Sequence, residues 1–126
     1  MHTHRFKKAE RITSKLLIDR LFGGENKSTV AFPFRVVYIK IPKGDYPAYM
    51  FVSVPKKRFH NAVDRNRMKR LTREAYRQQK QVLWDSLEDK DYSLAIAYIC
   101  LASQLCTYNT VYKSMGKAMN KIIQTL

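Results

Sequence analysis

The chain has 126 residues, 45% of them hydrophobic and 27% charged, which is enough for one domain with a substantial apolar core. Its 24 lysines and arginines against 10 acidic residues give a formal net charge of +14, which favours nucleic acid or an anionic membrane surface as a partner and disfavours basic partners. The longest apolar run, residues 94–102, has nine residues, which is too short to span a bilayer and suits a buried strand.

The first thirteen residues are expected to form a flexible basic arm. No apolar segment follows the basic start at Met1, as it would in a secretory signal, so a cytoplasmic location is predicted. A short helix is predicted over residues 14–22, because Ser14 suits an N-cap, apolar residues recur at helical spacing, and Gly23 and Gly24 stop the pattern.

Two strands are predicted next, over residues 32–41 and 48–54, because apolar and β-branched residues alternate there. A turn rich in proline and glycine separates them, which predicts an antiparallel hairpin. The first strand is largely apolar on both faces. A long helix with Asn61 as N-cap and Asp64 in its first turn follows, ending somewhere after Lys80.

The last third of the chain predicts an acidic surface loop over residues 85–91, a strand over 92–101 and a helix over 109–126. The strand contains Cys100, which we expect to be buried. Cys100 and Cys106 lack C-x-x-C spacing and are expected to be reduced thiols. In the last helix, inward and outward positions separate cleanly, with Val111, Met115, Met119 and Ile122 inside and Lys113, Lys117 and Lys121 outside. The predicted fold is α+β: a single domain, residues 1–126, with helices packed on one mixed sheet.

The helix after Asn61 is the most informative segment. From Arg65 to Lys80 it holds seven basic residues and one acid, Glu74, so pairing within the helix cannot neutralise it. At helical spacing Met68, Leu71 and Ala75 share one face, while the opposite row comprises Asn66, Arg70, Arg73 and Arg77, with Lys69 and Lys80 beside it. A polyanion would complement this row, although a solvated basic face is the simpler alternative.

Catalytic groups are sparse. The three histidines are His2, His4 and His60, two of them near the N-terminus and one alone, and the sequence has neither an H-x-x-x-H pair nor a phosphate-binding glycine loop. No self-sufficient protein active site is predicted.

The segment from Ser53 to Glu74 resembles the protein subunit of bacterial ribonuclease P. That family carries an R-N-R-x-K-R-x-x-R-E helix directly after an S-V-x-K-K strand end, and this chain has Ser-Val-Pro-Lys-Lys at 53–57, Asn-Ala-Val at 61–63 and Arg-Asn-Arg-Met-Lys-Arg-Leu-Thr-Arg-Glu at 65–74. The predicted element order also agrees with the family.

The resemblance implies a fold like the second domain of ribosomal protein small-subunit five: a mixed sheet of about four strands with three helices and a left-handed βαβ crossover. Sequence physics alone would predict the opposite hand. The resemblance also implies that the chain is an accessory subunit of a ribonucleoprotein endoribonuclease. In that enzyme the RNA carries the chemistry, and magnesium is bound mainly by the RNA. The implied partners are the ribonuclease P RNA and precursor tRNA, with one protein per RNA and dimerisation of the holoenzyme left open.

Two sets of residues are carried over from the resemblance. The first faces the catalytic RNA and comprises Arg65, Asn66, Arg67, Lys69, Arg70, Arg73 and Arg77. The second lines a cleft between the first helix and the sheet, where the single-stranded 5′ leader of the precursor would lie, and comprises Ile18, Phe22, Phe34, Tyr38, Lys56 and Lys57. Stacking on aromatic rings tolerates any base, which suits leaders of varied sequence. Core packing is the competing interpretation for the aromatic residues.

Two positions depart from the family pattern. His60 stands where relatives commonly have glycine, and Ala97-Tyr98-Ile99-Cys100 replaces a basic triplet after the third predicted strand. Two rival functions remain open at this stage: a ribosomal or general nucleic-acid-binding protein, and a membrane-surface or partner-binding amphipathic helix.

Overall fold

The computed structural model describes residues 8–24 and 26–126. Their order is a 3₁₀ turn, helix, three strands, helix, strand and helix. The helices are α1 (Lys15–Leu21), α2 (Ala62–Leu87) and α3 (Tyr108–Gln124), and the strands are β1 (Lys27–Ala31), β2 (Phe34–Pro42), β3 (Ala48–Ser53) and β4 (Tyr92–Cys100). The architecture is α+β, with one mixed sheet of four strands and three helices, as predicted. None of the described helices is long and apolar enough to cross a membrane.

The strand order is β1-β2-β4-β3, and this corrects one prediction. The predicted antiparallel hairpin of the second and third strands is wrong, because β4 lies between them and pairs antiparallel with β2 and parallel with β3. The hairpin is instead formed by β1 and β2. β1 was missed because its five residues, Lys-Ser-Thr-Val-Ala, are mostly polar and largely exposed. Helix α2 crosses over between the parallel neighbours β3 and β4, and the hand of that crossover stays a prediction.

The sheet buries both of its faces. One face carries Phe34, Val36 and Tyr38 of β2 and packs against α2 and α3 in the larger core. The alternate residues, Val37 and Ile39, belong to a smaller core on the other face. There they meet the apolar side of α1, which comprises Leu17, Ile18 and Leu21. Strand β2 is therefore apolar on both sides because helices cover both sides.

The N-terminal segment is anchored where the structure describes it. Residues 8–10 form a 3₁₀ turn, Arg11 pairs with Met50 at the edge of β3, and the Ile12 amide donates to the Met50 carbonyl at 3.0 Å. Glu10 and Ile12 are buried. The predicted flexible arm therefore does not extend through residues 8–12, and residues 1–7 lie outside the described part.

The capping predictions for the first two helices are confirmed. The side chain of Ser14 accepts a hydrogen bond from the Leu17 amide at 3.3 Å, and that of Asn61 accepts one from the Val63 amide at 2.8 Å. Helix α2 continues to Leu87, so it takes in the start of the predicted acidic loop. In α3, all four residues predicted to point inward are buried and the three lysines are exposed.

Candidate nucleic-acid interface

The first half of α2 separates apolar and basic residues as the sequence predicted. Met68 and Ala75 are fully buried in the larger core, and Leu71 packs partly against it. On the other side Asn66, Arg67 and Arg70 are exposed. Within the described part of the chain, Arg67 and Arg70 form no ion pair. Exposed guanidinium groups that are not held by a carboxylate can contact phosphate oxygens bidentately.

Arg65 has a local structural role in addition to its charge. Its Nη1 donates to the carbonyl of Phe59 at 2.7 Å and to that of His60 at 3.1 Å. These bonds tie the loop before α2 to the first turn of the helix. His60 itself is exposed, and no described residue other than glycine has a positive φ, so this backbone does not require glycine at position 60.

Arg77 and Lys80, at the far end of the predicted row, are occupied by carboxylates. Arg77 forms a bidentate pair with Glu74, through Nε at 2.8 Å and Nη2 at 2.6 Å. This hydrogen bonding, with a further bond from Gln78, lowers the pKa of Glu74 from 4.5 to about 2. Lys80 is buried against Glu10, so its predicted place beside an open basic row is wrong. The available basic surface is therefore the first half of the helix.

A cavity of about 340 Å³ lies where α2 meets the edge of β3. Arg11, Lys69 and Arg73 line it together with Phe51 and Ser53, and no side-chain carboxylate of the described residues does so. Burial, and to a smaller extent the nearby charge of Arg11, lower the pKa of Arg73. The positive charges of Arg11, Lys69 and Arg73 repel one another in this cavity. An anion bound there would reduce that repulsion and would be stabilised. The sequence did not single out Arg11, because its approach to α2 depends on long-range packing.

The face of the sheet that meets α1 has a floor of three cross-strand rows. Strand pairing aligns Ile39 with Ala95 and Tyr49, then Val37 with Ala97 and Phe51, then Arg35 with Ile99 and Ser53. The central residues of the first two rows, Ala95 and Ala97, are fully buried. Ile18 is half-buried beside this floor, and Phe22 is 47% exposed. The Phe22 ring meets the Phe51 ring edge-on, with centroids 6.4 Å apart.

Two of the residues predicted for this cleft lie on the wrong face. Phe34 is fully buried and packs edge-on against Tyr98, with ring centroids 6.0 Å apart. Tyr38 is only 4% exposed, belongs to the same core, and its hydroxyl lies 2.9 Å from Oγ1 of Thr125 in the cap of α3. Side chains of a strand alternate between faces, so α1 meets Val37 and Ile39 instead. For Phe34 and Tyr38, core packing is the correct interpretation.

The structure also identifies cleft residues that the sequence reasoning missed. Phe51 and Arg35 lie on the α1 side of the sheet. Side chains alternate between the two faces of a strand, so Phe51 lies on the opposite face from its neighbour Met50, which is buried in the larger core. Lys56 and Lys57 are both exposed in the turn after β3, and their place at the rim of the cleft stays a prediction. Tyr98, which departs from the family pattern, points into the larger core, whereas its neighbour Ile99 faces the cleft.

A basic helix face, a cavity lined by cations and the accessible aromatic rings of Phe22 and Phe51 together characterise a small nucleic-acid-binding protein of the α+β class. The sequence profile of the Ribonuclease P family matches residues 6–123. The chain therefore belongs to the ribonuclease P protein family, whose members are the protein component of the ribonucleoprotein enzyme.

Similar proteins agree in both sequence and fold. The ribonuclease P protein component of Porphyromonas gingivalis is 42% identical over 117 residues, which is 91% of this chain and 84% of that protein. The RNase P protein of Staphylococcus aureus superposes with a TM-score of 0.71 at 23% identity, covering 91% of this chain and 96% of the other. That of Thermotoga maritima has a TM-score of 0.59 at 23% identity, over 88% and 89% of the two chains.

Proposed function

We propose that this protein is the subunit of ribonuclease P that binds the catalytic RNA through α2 and the 5′ leader of precursor tRNA through the cleft between α1 and the sheet. In this role it assists removal of the leader by an RNA that carries the chemistry. The observation that carries the proposal is that Arg67 and Arg70 are exposed and form no ion pair with another described residue, on a helix whose opposite face is fixed in the core.

The α2 surface suits a structured RNA. Asn66, Arg67, Lys69 and Arg70 lie within about one helical turn, so their backbone positions cover only ~6 Å along the helix axis and their side chains can contact neighbouring phosphates. Arg65 and Arg73 flank them, although Arg65 also braces the preceding loop. Arg77 contributes less, because Glu74 holds its guanidinium.

The cleft suits a single strand. Phe22 and Phe51 present ring edges and partly exposed faces at one side, and Ile18 continues the apolar wall. Lys56 and Lys57 supply charge at the rim without fixing any base identity. Accessible aromatic rings beside positive charge are the combination that binds single strands with little sequence preference.

Magnesium belongs to the proposed complex as a cofactor held mainly by the RNA. Among the described residues, no three His, Cys, Asp or Glu side chains lie together as a ligand set. Asp64 lies in the first turn of α2, where a carboxylate stabilises the helix dipole. The basic residues of α2 and magnesium ions both neutralise phosphates. The protein would therefore reduce the magnesium concentration that the RNA requires.

The test combines the protein with a ribonuclease P RNA and a precursor tRNA at low magnesium, and measures 5′ cleavage and substrate affinity. We expect the protein to increase cleavage, and the double variant Arg67→Ala/Arg70→Ala to lose that effect and to regain it when magnesium is raised. The matched control is Lys113→Ala/Lys117→Ala, which removes the same charge from the exposed side of α3. Absence of any stimulation by the wild-type protein would refute the proposal.

A further inference from the structure

A second basic cavity lies at the opposite edge of the sheet from β3. Its volume is about 310 Å³, and Arg20, Lys27 and Lys40 line it together with Tyr38 and Thr125. None of these three cations belongs to the α2 face or to the leader cleft. The volume is at the lower end of the ~300–1,000 Å³ typical of ligand sites.

The cavity exists because β1 is shorter than β2. Strand β1 starts at Lys27, which is paired with Tyr38, so the part of β2 from Ile39 onward has no strand beside it on that edge. The end of α1 brings Arg20 to one side of this notch, and the cap of α3 brings Thr125 to the other. The three cations come from three elements: Arg20 from α1, Lys27 from β1 and Lys40 from β2.

Basic side chains outnumber acidic ones around this cavity. No aspartate or glutamate among the described residues lines it, although Leu126, the last residue of the sequence, does, and Lys27 and Arg20 are exposed. The Nζ atom of Lys40 lies 4.6 Å from the centroid of the Tyr92 ring, which orients it without neutralising it. The arrangement stabilises an anion and would repel a further cation.

The floor of the cavity is polar but has no hydroxyl proton to offer. The Thr125 hydroxyl donates to the carbonyl of Ile122 at 2.8 Å, so in its 2.9 Å contact with Tyr38 it is the acceptor and the Tyr38 hydroxyl is the donor. An anion here would consequently be held by the three cations. Ile39 and Leu94 form apolar walls beside it, against which a ribose or base can pack.

We propose that this cavity, defined by Arg20, Lys27 and Lys40, is a second phosphodiester-binding site for RNA, separate from the α2 face. Strands β2 and β3 are two positions apart in the sheet, so the two edges are separated by about 10 Å of sheet and by the helices that cover it. One phosphate cannot reach both edges. The proposal rests on the proposed function only in taking RNA as the polyanion.

The experiment measures the salt dependence of binding for Lys27→Ala, Lys40→Ala and their double variant. One arm uses ribonuclease P RNA alone, and the other uses precursor tRNA added to the assembled complex, so that the two sources of phosphate are distinguished. The matched control is Lys113→Ala, which lies on α3 twelve residues before Thr125, about 18 Å along the helix axis. Circular dichroism checks that each variant folds.

We expect each single variant to reduce the salt slope by about one, and the double variant by about two, in one arm only. An unchanged slope in both arms would overturn the site, as would an equal reduction by Lys113→Ala, which would indicate general electrostatics. If Arg67→Ala lowers the slope while the cavity variants do not, the second site fails and the proposed function stands. If none of these variants changes the slope, the proposed function fails as well.

Discussion

Lys80 forms a buried ion pair with Glu10, seventy residues earlier in the chain, with its Nζ atom 3.0 and 2.9 Å from the two carboxylate oxygens. Both residues are almost fully buried, and the same Nζ lies 4.4 Å from the centroid of the Trp84 ring. The pair fastens the N-terminal segment to the second half of α2. It thereby holds Arg11, the next residue, in the cavity that also contains Lys69 and Arg73.

We expect Lys80→Met to destabilise the fold by about 3–5 kcal/mol, because it leaves the Glu10 carboxylate buried without its partner. Urea denaturation would measure the change in the free energy of unfolding. The double variant Glu10→Gln/Lys80→Met should recover much of the loss, since it removes both charges. A loss below about 1 kcal/mol for the single variant, as for an exposed pair, would show that the pair does not fasten the segment.

The arginines of α2 should differ in their contribution to RNA binding. We expect Arg67→Ala and Arg70→Ala each to reduce the salt slope for the catalytic RNA by about one, as the loss of a phosphate contact does. Arg77→Ala should reduce it by less, because Glu74 already occupies that guanidinium. Titrations over a range of salt concentrations provide the measurement. Equal reductions for all three variants would show that the intrahelical pair opens on binding.

The hydroxyl of Tyr98 is buried and has no hydrogen-bond partner among residues 8–24 and 26–126. Its ring packs edge-on against Phe34 and Tyr76, with centroids 6.0 and 6.1 Å away. Burial raises the pKa of this phenol well above its ordinary value. We expect Tyr98→Phe to be neutral or to stabilise the protein by about 1 kcal/mol, because an unsatisfied polar group is removed and the ring contacts remain. A destabilisation of similar size in thermal unfolding would contradict this.

The Glu74–Arg77 pair should be visible in a pH titration. Hydrogen bonds from Arg77 and Gln78 hold the pKa of Glu74 at about 2, below its ordinary 4.5. A lowered folded pKa means that this contribution to stability is complete above about 4.5 and is lost as the pH falls towards 2. Carboxyl NMR would locate the midpoint, and Arg77→Ala should raise it towards the ordinary value. A midpoint near 4.5 in the wild-type protein would mean that the pair is not populated.

Local signals predicted the helices and most of the strands. Ser14 and Asn61 identified two helix starts, because a cap depends only on the next few residues. The basic face of α2 and the inward residues of α3 followed from helical periodicity. Strand pairing did not follow, because the partner of β3 is β4, which lies beyond the whole of α2 in the chain.

The cleft was harder to predict than the helix face. Strand β2 is apolar on both sides, so alternation could not decide whether Tyr38 or Val37 faces α1. The burial of Lys80 could not be predicted either, because its ion-pair partner, Glu10, is distant in sequence. Both errors come from interactions that form only when the complete fold is assembled.

The proposed function divides RNA binding between α2, which would contact the catalytic RNA, and the cleft beside Phe22, which would receive the leader. The most direct measurement compares the affinity of the assembled complex for precursor tRNA and for mature tRNA, with the wild-type protein, Phe22→Ala and Tyr38→Phe. We expect the wild-type protein to tighten binding of the precursor only, Phe22→Ala to lose about 1–3 kcal/mol of that preference, and Tyr38→Phe to keep it. Equal effects of the wild-type protein on precursor and mature tRNA would show that the cleft does not receive the leader.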